Sequence, residues 1–505
     1  MTLREVYDVL HGLGSVPAVS AGPPAGLLGA AVTGITYDSR RAAPGCVFVA
    51  LRGQHADGSR FAQQAVERGA IAVVSQDAPP PDSAVPWLTV ADARVSLAHL
   101  AAAFYGHPSR QMQVVGITGT NGKTTTAYLL ASIFDAAGLP SGLLGTVIYR
   151  VGDETRVATH TTPEAPDVQA LLREMVERGC RTCVMEVSSH ALALHRVDSI
   201  EFSAGIFTNL TRDHLDFHAD MEEYFRAKRR LFEMLPREAP AVVNADDRRA
   251  ASVTSAATAT ITYGIHREAD VTPGPLSFSL AGLAFDARTP KGTIKVRSPL
   301  VGRPNVYNIL AAVAAALALG VPTEAIERGI ERLERVPGRF QVVSSPGDDV
   351  TVVVDYAHTD DALRNLLETA RPLAAGQLIT VFGCGGDRDR TKRPLMGAVA
   401  GRLSDVIIIT SDNPRSEDPA RIIEEIQRGI TPDTRRDSTQ RVHAIPDRRS
   451  AIAEAVERAR PGDLVLIAGK GHEKYQIVGE RTLPFDDVAV AEEALGNRRA
   501  RQGVR

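Results

Sequence analysis

Val114-Val115-Gly116-Ile117-Thr118-Gly119-Thr120-Asn121-Gly122-Lys123-Thr124-Thr125-Thr126 is the stretch on which the reading of this chain turns. An apolar strand runs into a glycine-rich turn. Lys123-Thr124-Thr125 then opens a helix that continues over Ala127 to Ala137 and stops at Gly138 and Pro140. Such a turn wraps backbone N–H groups around phosphates. The lysine reaches the terminal phosphates, a threonine hydroxyl such as that of Thr124 ligates Mg²⁺, and the helix N-terminus adds its positive dipole end. Residues Gly119, Thr120, Asn121, Gly122, Lys123, Thr124 and Thr125 therefore predict a nucleoside triphosphate site. The spacing departs from the usual G-x-x-x-x-G-K-[ST]: Ile117 stands where the first glycine belongs, and the glycines fall at 116, 119 and 122.

Downstream of this turn the sequence predicts a helix over Ala165 to Arg178 and strands over Thr182 to Val187 and Ala204 to Thr208. This alternation indicates a parallel sheet with helices on both faces, closed by an Ala-rich helix after Asn305. Glu186-Val187-Ser188-Ser189-His190 sits at a strand end, where a carboxylate is placed to hold Mg²⁺. Thr208-Asn209-Leu210-Thr211-Arg212-Asp213-His214-Leu215-Asp216-Phe217-His218 follows the next strand and gathers two imidazoles and two carboxylates. His214 read alone is as compatible with a hydrogen-bonded structural role as with a ligand.

The alternation restarts after Val336-Pro337-Gly338. Strands over Val350 to Asp355, Gln377 to Phe382, Asp405 to Thr410 and Asp463 to Ala468 each end in polar or glycine-rich residues. Those ends are Asp355-Tyr356-Ala357-His358, Gly383 to Asp387, Ser411 to Arg415 and Gly469 to Glu473, and ligands of open parallel sheets bind beyond such ends. Upstream, strands over Val47 to Leu51, Ile71 to Val74 and Trp87 to Val90 and helices over Arg60 to Arg68 and Ala93 to Tyr105 form a smaller α/β unit. The predicted class is α/β in three domains, 1–110, 111–337 and 338–505, in keeping with about three domains at roughly 150 residues each. The basic tail from Asn497 to Arg505 reads as a solvated, frayed end.

Composition agrees with a globular protein: 44% hydrophobic, 23% charged and a net charge of −3, with no basic excess to suggest nucleic acid. The N-terminus carries charges where a signal peptide needs an apolar core. The longest apolar run, Ile309 to Leu319, is shorter than the ~20 residues of a membrane span. A cytoplasmic protein is expected. Four cysteines make no disulfide framework in a chain of this length, and Cys180-Arg181-Thr182-Cys183 lacks a second pair, so Cys183 is expected in a core.

Gly119 to Thr125, Glu186 to His190, Thr208 to Asp216, Asn305-Val306-Tyr307-Asn308, Gly338-Arg339 and Asp355 to His358 occur in the order found in the Mur ligases, and the sequence resembles that family over nearly its whole length. These are ATP-dependent amino-acid-adding enzymes of peptidoglycan precursor synthesis. The resemblance implies a small N-terminal UDP-binding domain, a central P-loop-type ATPase domain and a C-terminal Rossmann-like domain. It also implies ATP and Mg²⁺ as cofactors and a monomer without nucleic-acid or membrane partners. Asn305, Asn308, Arg339 and Asp355 match ATP-site residues. Lys123, Glu186, His214 and Lys228 match catalytic positions, and Thr124, Glu186, His214 and Lys228 match metal-holding ones. Lys228, beside Arg226, Arg229 and Arg230, reads by itself as a surface lysine; the resemblance makes it the lysine that CO₂ carbamylates.

Tyr37-Asp38-Ser39-Arg40 and His55-Ala56-Asp57-Gly58 resemble the uridine-nucleotide-binding part of members that add the third residue to UDP-N-acetylmuramoyl-L-alanyl-D-glutamate. Thr161, Thr162, Ser188 and Arg196 match contacts to the muramoyl-dipeptide, as does Asp167-Val168-Gln169. Leu194 departs from the pattern, standing where some members have a glutamine. Asp412, Asn413, Pro414 and Arg415 match the motif for meso-diaminopimelate, with Arg388, Gly469 and Glu473 as further contacts. The chemistry fits that substrate: its distal end carries a carboxylate as well as an ammonium, and an arginine grips a carboxylate bidentately. Relatives that add lysine or glutamylate folates share the ATP machinery and differ at these positions.

Overall fold

The computed structural model describes residues 1–13, 26–53, 57–81, 83–431 and 441–503. His55 and Ala56 of the expected uridine-binding stretch lie outside them.

The N-terminal unit is a four-stranded parallel sheet, Gly34–Thr36, Cys46–Val49, Ala72–Ser75 and Trp87–Thr89, in chain order. Its second strand is buried at every position, as expected of a strand covered on both faces. Helices Leu3–Gly12 and Ala93–Phe104 cover one face and Ala62–Glu67 the other. Thr2 and Glu5 form a reciprocal capping box at the start of the first helix.

The central sheet has eight strands, with the phosphate-loop strand Gln113–Thr118 between Ala204–Phe207 and Thr182–Glu186. Helices Lys123–Ala136, Arg303–Ala318 and Thr323–Arg332 share one core, and Ala165–Glu177 and Met221–Glu233 share the core of the opposite face. The Ala-rich helix is buried almost throughout, which explains a long apolar run that is not a span. Among the described residues no helix is long and apolar enough to cross a membrane. A small antiparallel sheet over residues 272–298 packs beside this unit, an element the alternating pattern did not predict.

The third sheet runs Gln341–Val342, Thr351–Asp355, Leu464–Ala468, Leu378–Phe382, Val406–Ile409, Val442–Ala444, parallel except at its first pair. All four expected strands are present, and their polar ends lie at one edge. An exposed hairpin, Tyr475–Val478 with Arg481–Pro484, follows the last central strand. The expected frayed tail is instead part of a helix, Asp487–Gly503. Arg498 pairs with Asp349 at 2.7 Å and Arg499 with Asp348 at 2.6 Å, so the basic residues anchor the helix rather than solvate an end.

Candidate functional site

The phosphate loop is shaped by close backbone approach. Gly119 has φ +143°, and a Cβ there would lie 1.8 Å from Thr208 Oγ1; Gly122, at φ +89°, would bring one 2.4 Å from Asn308 Oδ1. The loop is tied to the end of the neighbouring strand by Thr120 N donating to Asn209 O and Asn121 N to Asn209 Oδ1, both 2.9 Å. Lys123 Nζ arches back to donate to Gly119 O and Thr120 O at 2.9 Å each. Burial lowers its pKa, and the carboxylates of Glu186 and Asp213 oppose that shift. Asn308 Nδ2 donates to Asn305 Oδ1 at 2.9 Å, and Asn305 is held by Val301 O at 2.8 Å. Thr125 is buried in the first turn of the helix.

Glu186 is buried, and its oxygens accept Thr124 Oγ1 at 3.1 Å, Thr146 N at 2.8 Å and Thr146 Oγ1 at 3.1 Å. Among the described residues it has no ion-pair partner. A buried carboxylate that meets only hydroxyl and amide donors at a phosphate loop is a donor set suited to Mg²⁺, which takes one or two carboxylates and fills its remaining positions with phosphate oxygens and water. Among the described residues no group of three His, Cys, Asp or Glu converges as an all-protein cage.

Thr161 Oγ1 lies 3.1 Å from Thr146 Oγ1, and Thr162 Oγ1 donates to Glu186 O at 2.9 Å. Ser188 N donates back to Thr162 Oγ1 at 3.1 Å, and Arg196 Nη1 to Thr162 O at 3.0 Å. These four residues thus gather along the Glu186 strand end. Ser39 is remote from them in contact terms, its hydroxyl donating to Gln64 Oε1 within the N-terminal unit at 2.7 Å. Asp167 joins the two units, accepting Tyr37 Oη at 2.9 Å and Arg41 Nη1 at 3.0 Å.

Lys228 is no surface lysine: its side chain is buried, and Nζ donates to Gly119 O at 2.7 Å. Desolvation, reinforced by the nearby Lys123 charge, drives its pKa well below the usual lysine range. His214, at φ +55°, stacks edge-on against His190 at 4.9 Å and Tyr224 at 5.9 Å. Burial lowers the His214 pKa against the pull of Asp213, so the imidazole is neutral at pH 7 and able to ligate.

The C-terminal strand ends form a second cluster. Gly469 N donates to Asp355 O at 3.0 Å, joining neighbouring strand ends. Asp355 is half-buried, desolvation raises its pKa, and it accepts Phe340 N and Ala357 N at 2.7 Å each. Asn413 Nδ2 donates to Glu473 Oε2 at 3.0 Å, and Pro414 O accepts Glu417 N at 3.0 Å. Arg415 has φ +51°, an uncommon conformation for a non-glycine residue. Its Nη1 donates to Gly386 O at 2.7 Å, and no carboxylate of the described residues pairs with it. Arg388 approaches Asp216 of the central unit at 3.4 Å. Arg339 connects the clusters: Nη2 donates to Thr124 Oγ1 at 3.1 Å while the guanidinium stacks on Tyr356 at 4.6 Å.

Family models for the Mur ligase catalytic domain, the Mur ligase middle domain and the Mur ligase glutamate ligase domain match residues 31–105, 117–316 and 338–471. The UDP-N-acetylmuramoyl-L-alanyl-D-glutamate–2,6-diaminopimelate ligase of Solibacter usitatus is 49% identical over 468 residues, 92% of this chain and 93% of that one. The chain belongs to the Mur ligase family. The ligase of the same name from Geobacter metallireducens is 49% identical over 92% of this chain and 94% of its own. A solved structure carrying that name superposes with a TM-score of 0.68 at 33% identity, covering 99% of both chains. The three-domain α/β architecture is that of the Mur ligases.

Several residues that build the site of this Mur ligase escaped sequence reading. Thr146 supplies two of the donors to Glu186. Arg393, with no exposed side-chain surface, pairs with Glu417 and Glu425 at 2.8 Å and donates to Gly385 O at 3.2 Å, holding the Gly383–Arg388 loop. Arg448 pairs with the equally buried Asp487 at 2.7 Å and donates to Ala468 O at 3.0 Å, bracing the strand end before Gly469. Lys470 sits buried between Asn413 and Glu473. Only Lys470 carried a signal, as a lysine within the polar strand end Gly469 to Glu473.

Proposed function

We propose that this chain joins meso-2,6-diaminopimelate to the γ-carboxylate of D-glutamate in UDP-N-acetylmuramoyl-L-Ala-D-Glu, consuming ATP in cytoplasmic peptidoglycan precursor synthesis. The observation that carries the reading is the Arg339 bridge. One residue of the C-terminal unit touches Thr124 of the phosphate loop, while that unit presents a conformationally strained Arg415 with no carboxylate partner among the described residues. The names of the relatives that match over nine-tenths of this chain support the same substrates.

A free carboxylate does not condense with an amine, because its oxygen is a poor leaving group. In the proposed reaction a γ-carboxylate oxygen attacks the terminal phosphorus of ATP, the bond to the bridging oxygen breaks, and ADP leaves. The neutral amine of diaminopimelate attacks the acyl phosphate carbon, loses a proton, and the tetrahedral intermediate expels phosphate. Lys123 and the loop N–H groups stabilise charge on the moving phosphoryl group. Asn305, Asn308, Arg339 and Asp355 position the nucleotide. Thr161, Thr162, Ser188 and Arg196 line the acyl donor's path, with Ser39 holding its uridine end.

Mg²⁺, when bound, neutralises phosphate charge; Thr124 and Glu186 would hold it, joined by His214 and a carbamylated Lys228. The depressed basicity of Lys228 supports that modification, since an uncharged amine is what attacks CO₂ and releases a proton to leave a carbamate. Arg415 and Arg388 would take the distal carboxylate of diaminopimelate, with Glu473 and Gly469 meeting its amino-acid end and Asp412 and Asn413 anchoring the turn through Pro414. Domains divide at 110/111 and 337/338, and the working species is a monomer.

The test is ATP- and Mg²⁺-dependent phosphate release with UDP-N-acetylmuramoyl-L-Ala-D-Glu, comparing meso-diaminopimelate with L-lysine. Diaminopimelate should be strongly preferred. A preference for lysine overturns the acceptor assignment, and no release with either overturns the function.

A further inference from the structure

Lys470 places a cation with no exposed side-chain surface at the centre of the C-terminal cluster. Its Nζ lies 3.0 Å from Asn413 Oδ1, 3.2 Å from Glu473 Oε2 and 3.4 Å from Asp412 Oδ1. An ammonium has three N–H donors and no acceptor. Two of its donors are taken by Asn413 and Glu473, and the third side faces the Asp412 carboxylate as an ion pair. Asp412 Oδ1 is buried without a hydrogen bond, and the ammonium is its close counter-charge.

The consequences run outward through Asn413. With its amide oxygen facing Lys470, Asn413 directs Nδ2 to Glu473 Oε2 at 3.0 Å and accepts Ile477 N of the hairpin at 2.9 Å. The same hairpin residue accepts Arg415 N at 3.1 Å, and Gly479 N donates to Arg415 O at 2.7 Å. Arg415 is thereby clamped on both backbone faces at φ +51°. Gln476 Nε2 adds a fourth tie, to Asp412 O at 2.7 Å.

We propose that Lys470 is a positioning residue for amino-acid selection: it orients Asn413 and Glu473 and, through the hairpin, holds Arg415 in the conformation that presents its guanidinium. The inference rests on reading this pocket as the diaminopimelate site. Without the ammonium, the buried Asp412 and the partly buried Glu473 lose their nearest counter-charge, Asn413 loses its orientation, and Arg415 relaxes.

Lys470→Met in the full chain keeps the apolar stem and removes the charge. The KM for meso-diaminopimelate should rise about tenfold or more, the scale of one lost charge-assisted hydrogen bond. The preference over L-lysine should narrow, and the KM for ATP should stay put. Asn413→Ala and the double variant complete a cycle. If Lys470 acts through Asn413, its replacement adds little in the Asn413→Ala background. Wild-type KM in folded Lys470→Met, or fully additive effects, overturns the inference. The preference ratio is a property of active molecules, so it decides the matter even if part of the variant misfolds; an unchanged ratio with unchanged KM also overturns it. Wild-type protein that ignores diaminopimelate would sink the proposed function itself, a separate outcome.

Discussion

The phosphate loop and the proposed amino-acid pocket differ in how they would hold a charged ligand. The loop is one contiguous stretch whose shape comes from backbone: positive φ at two glycines, and carbonyls and amides tied to the Thr208–Asn209 strand end. The pocket is assembled from strand ends some thirty to ninety residues apart, Gly383–Arg388, Ser411–Arg415 and Gly469–Glu473, and its shape comes from buried charge. Arg393, Arg448 and Lys470 each satisfy carbonyls or carboxylates behind the ligand surface. The first site cannot admit an extra atom. The second cannot admit an unbalanced charge.

The largest expected effect breaks the loop. Gly119→Ala places a Cβ against Thr208 Oγ1, at a backbone angle that side chains rarely adopt. Turnover should fall by roughly 10³ with ATP affinity, as when transition-state donors are displaced, while the pocket keeps its amino-acid binding. Calorimetry of ATP and of diaminopimelate separately checks this; a loss of both would mean the sites are not independently built. Arg415→Ala is the converse. The KM for diaminopimelate should rise by about 10², the scale of a bidentate Arg–carboxylate contact, and ATP binding should be unaffected. An unchanged KM would remove Arg415 from carboxylate recognition.

This contrast also explains what could be read from the sequence. A glycine, lysine and threonine pattern between a strand and a helix dictates its own local geometry, so Gly119 to Thr125 were legible along with the strand that feeds them. The four polar strand ends were legible because a parallel sheet puts them at one edge. Thr146 was not, because it belongs to a turn between Ser141–Leu144 and Ile148–Val151, strands with no distinctive pattern. Arg393, Arg448 and the tail arginines look like surface charge in sequence. Their structural roles depend on Glu417, Asp487, Asp348 and Asp349, partners that only the tertiary fold brings near. Lys228 misled for the same reason, since three arginines around it signal a wet helix face while the helix turns that one position inward.

A smaller effect is expected where the two regions meet. Arg339→Ala removes the hydrogen bond to Thr124 and the stacking on Tyr356. Loss of one such contact should lower kcat about tenfold, with the KM for diaminopimelate unchanged. Single-turnover acyl-phosphate formation would locate the loss in the activating step. A changed amino-acid KM instead would place Arg339 in the pocket and weaken the division between the two sites.

The smallest effect concerns stability at the same junction. His472 packs on Tyr356 at 4.8 Å, and burial, with the charges of Arg339, His358 and Lys474, lowers its pKa from 6.5 to about 3. Between those values the unfolded chain binds a proton that the folded chain refuses, so stability falls as pH drops below 6.5 and is unaffected by this group above it. One such proton sets a slope of at most ~1.4 kcal/mol per pH unit. His190, lowered to about 4 chiefly by burial, acts in the same direction from the central unit. Urea unfolding of the wild type and of His472→Gln, at pH values on either side of 6.5, separates them: the variant should lose part of the acid sensitivity and keep the share due to His190. Equal slopes would mean that His472 takes up its proton in the folded protein. The junction between the backbone-built and charge-built sites would then be open to water, and charge balance would govern both sides of it.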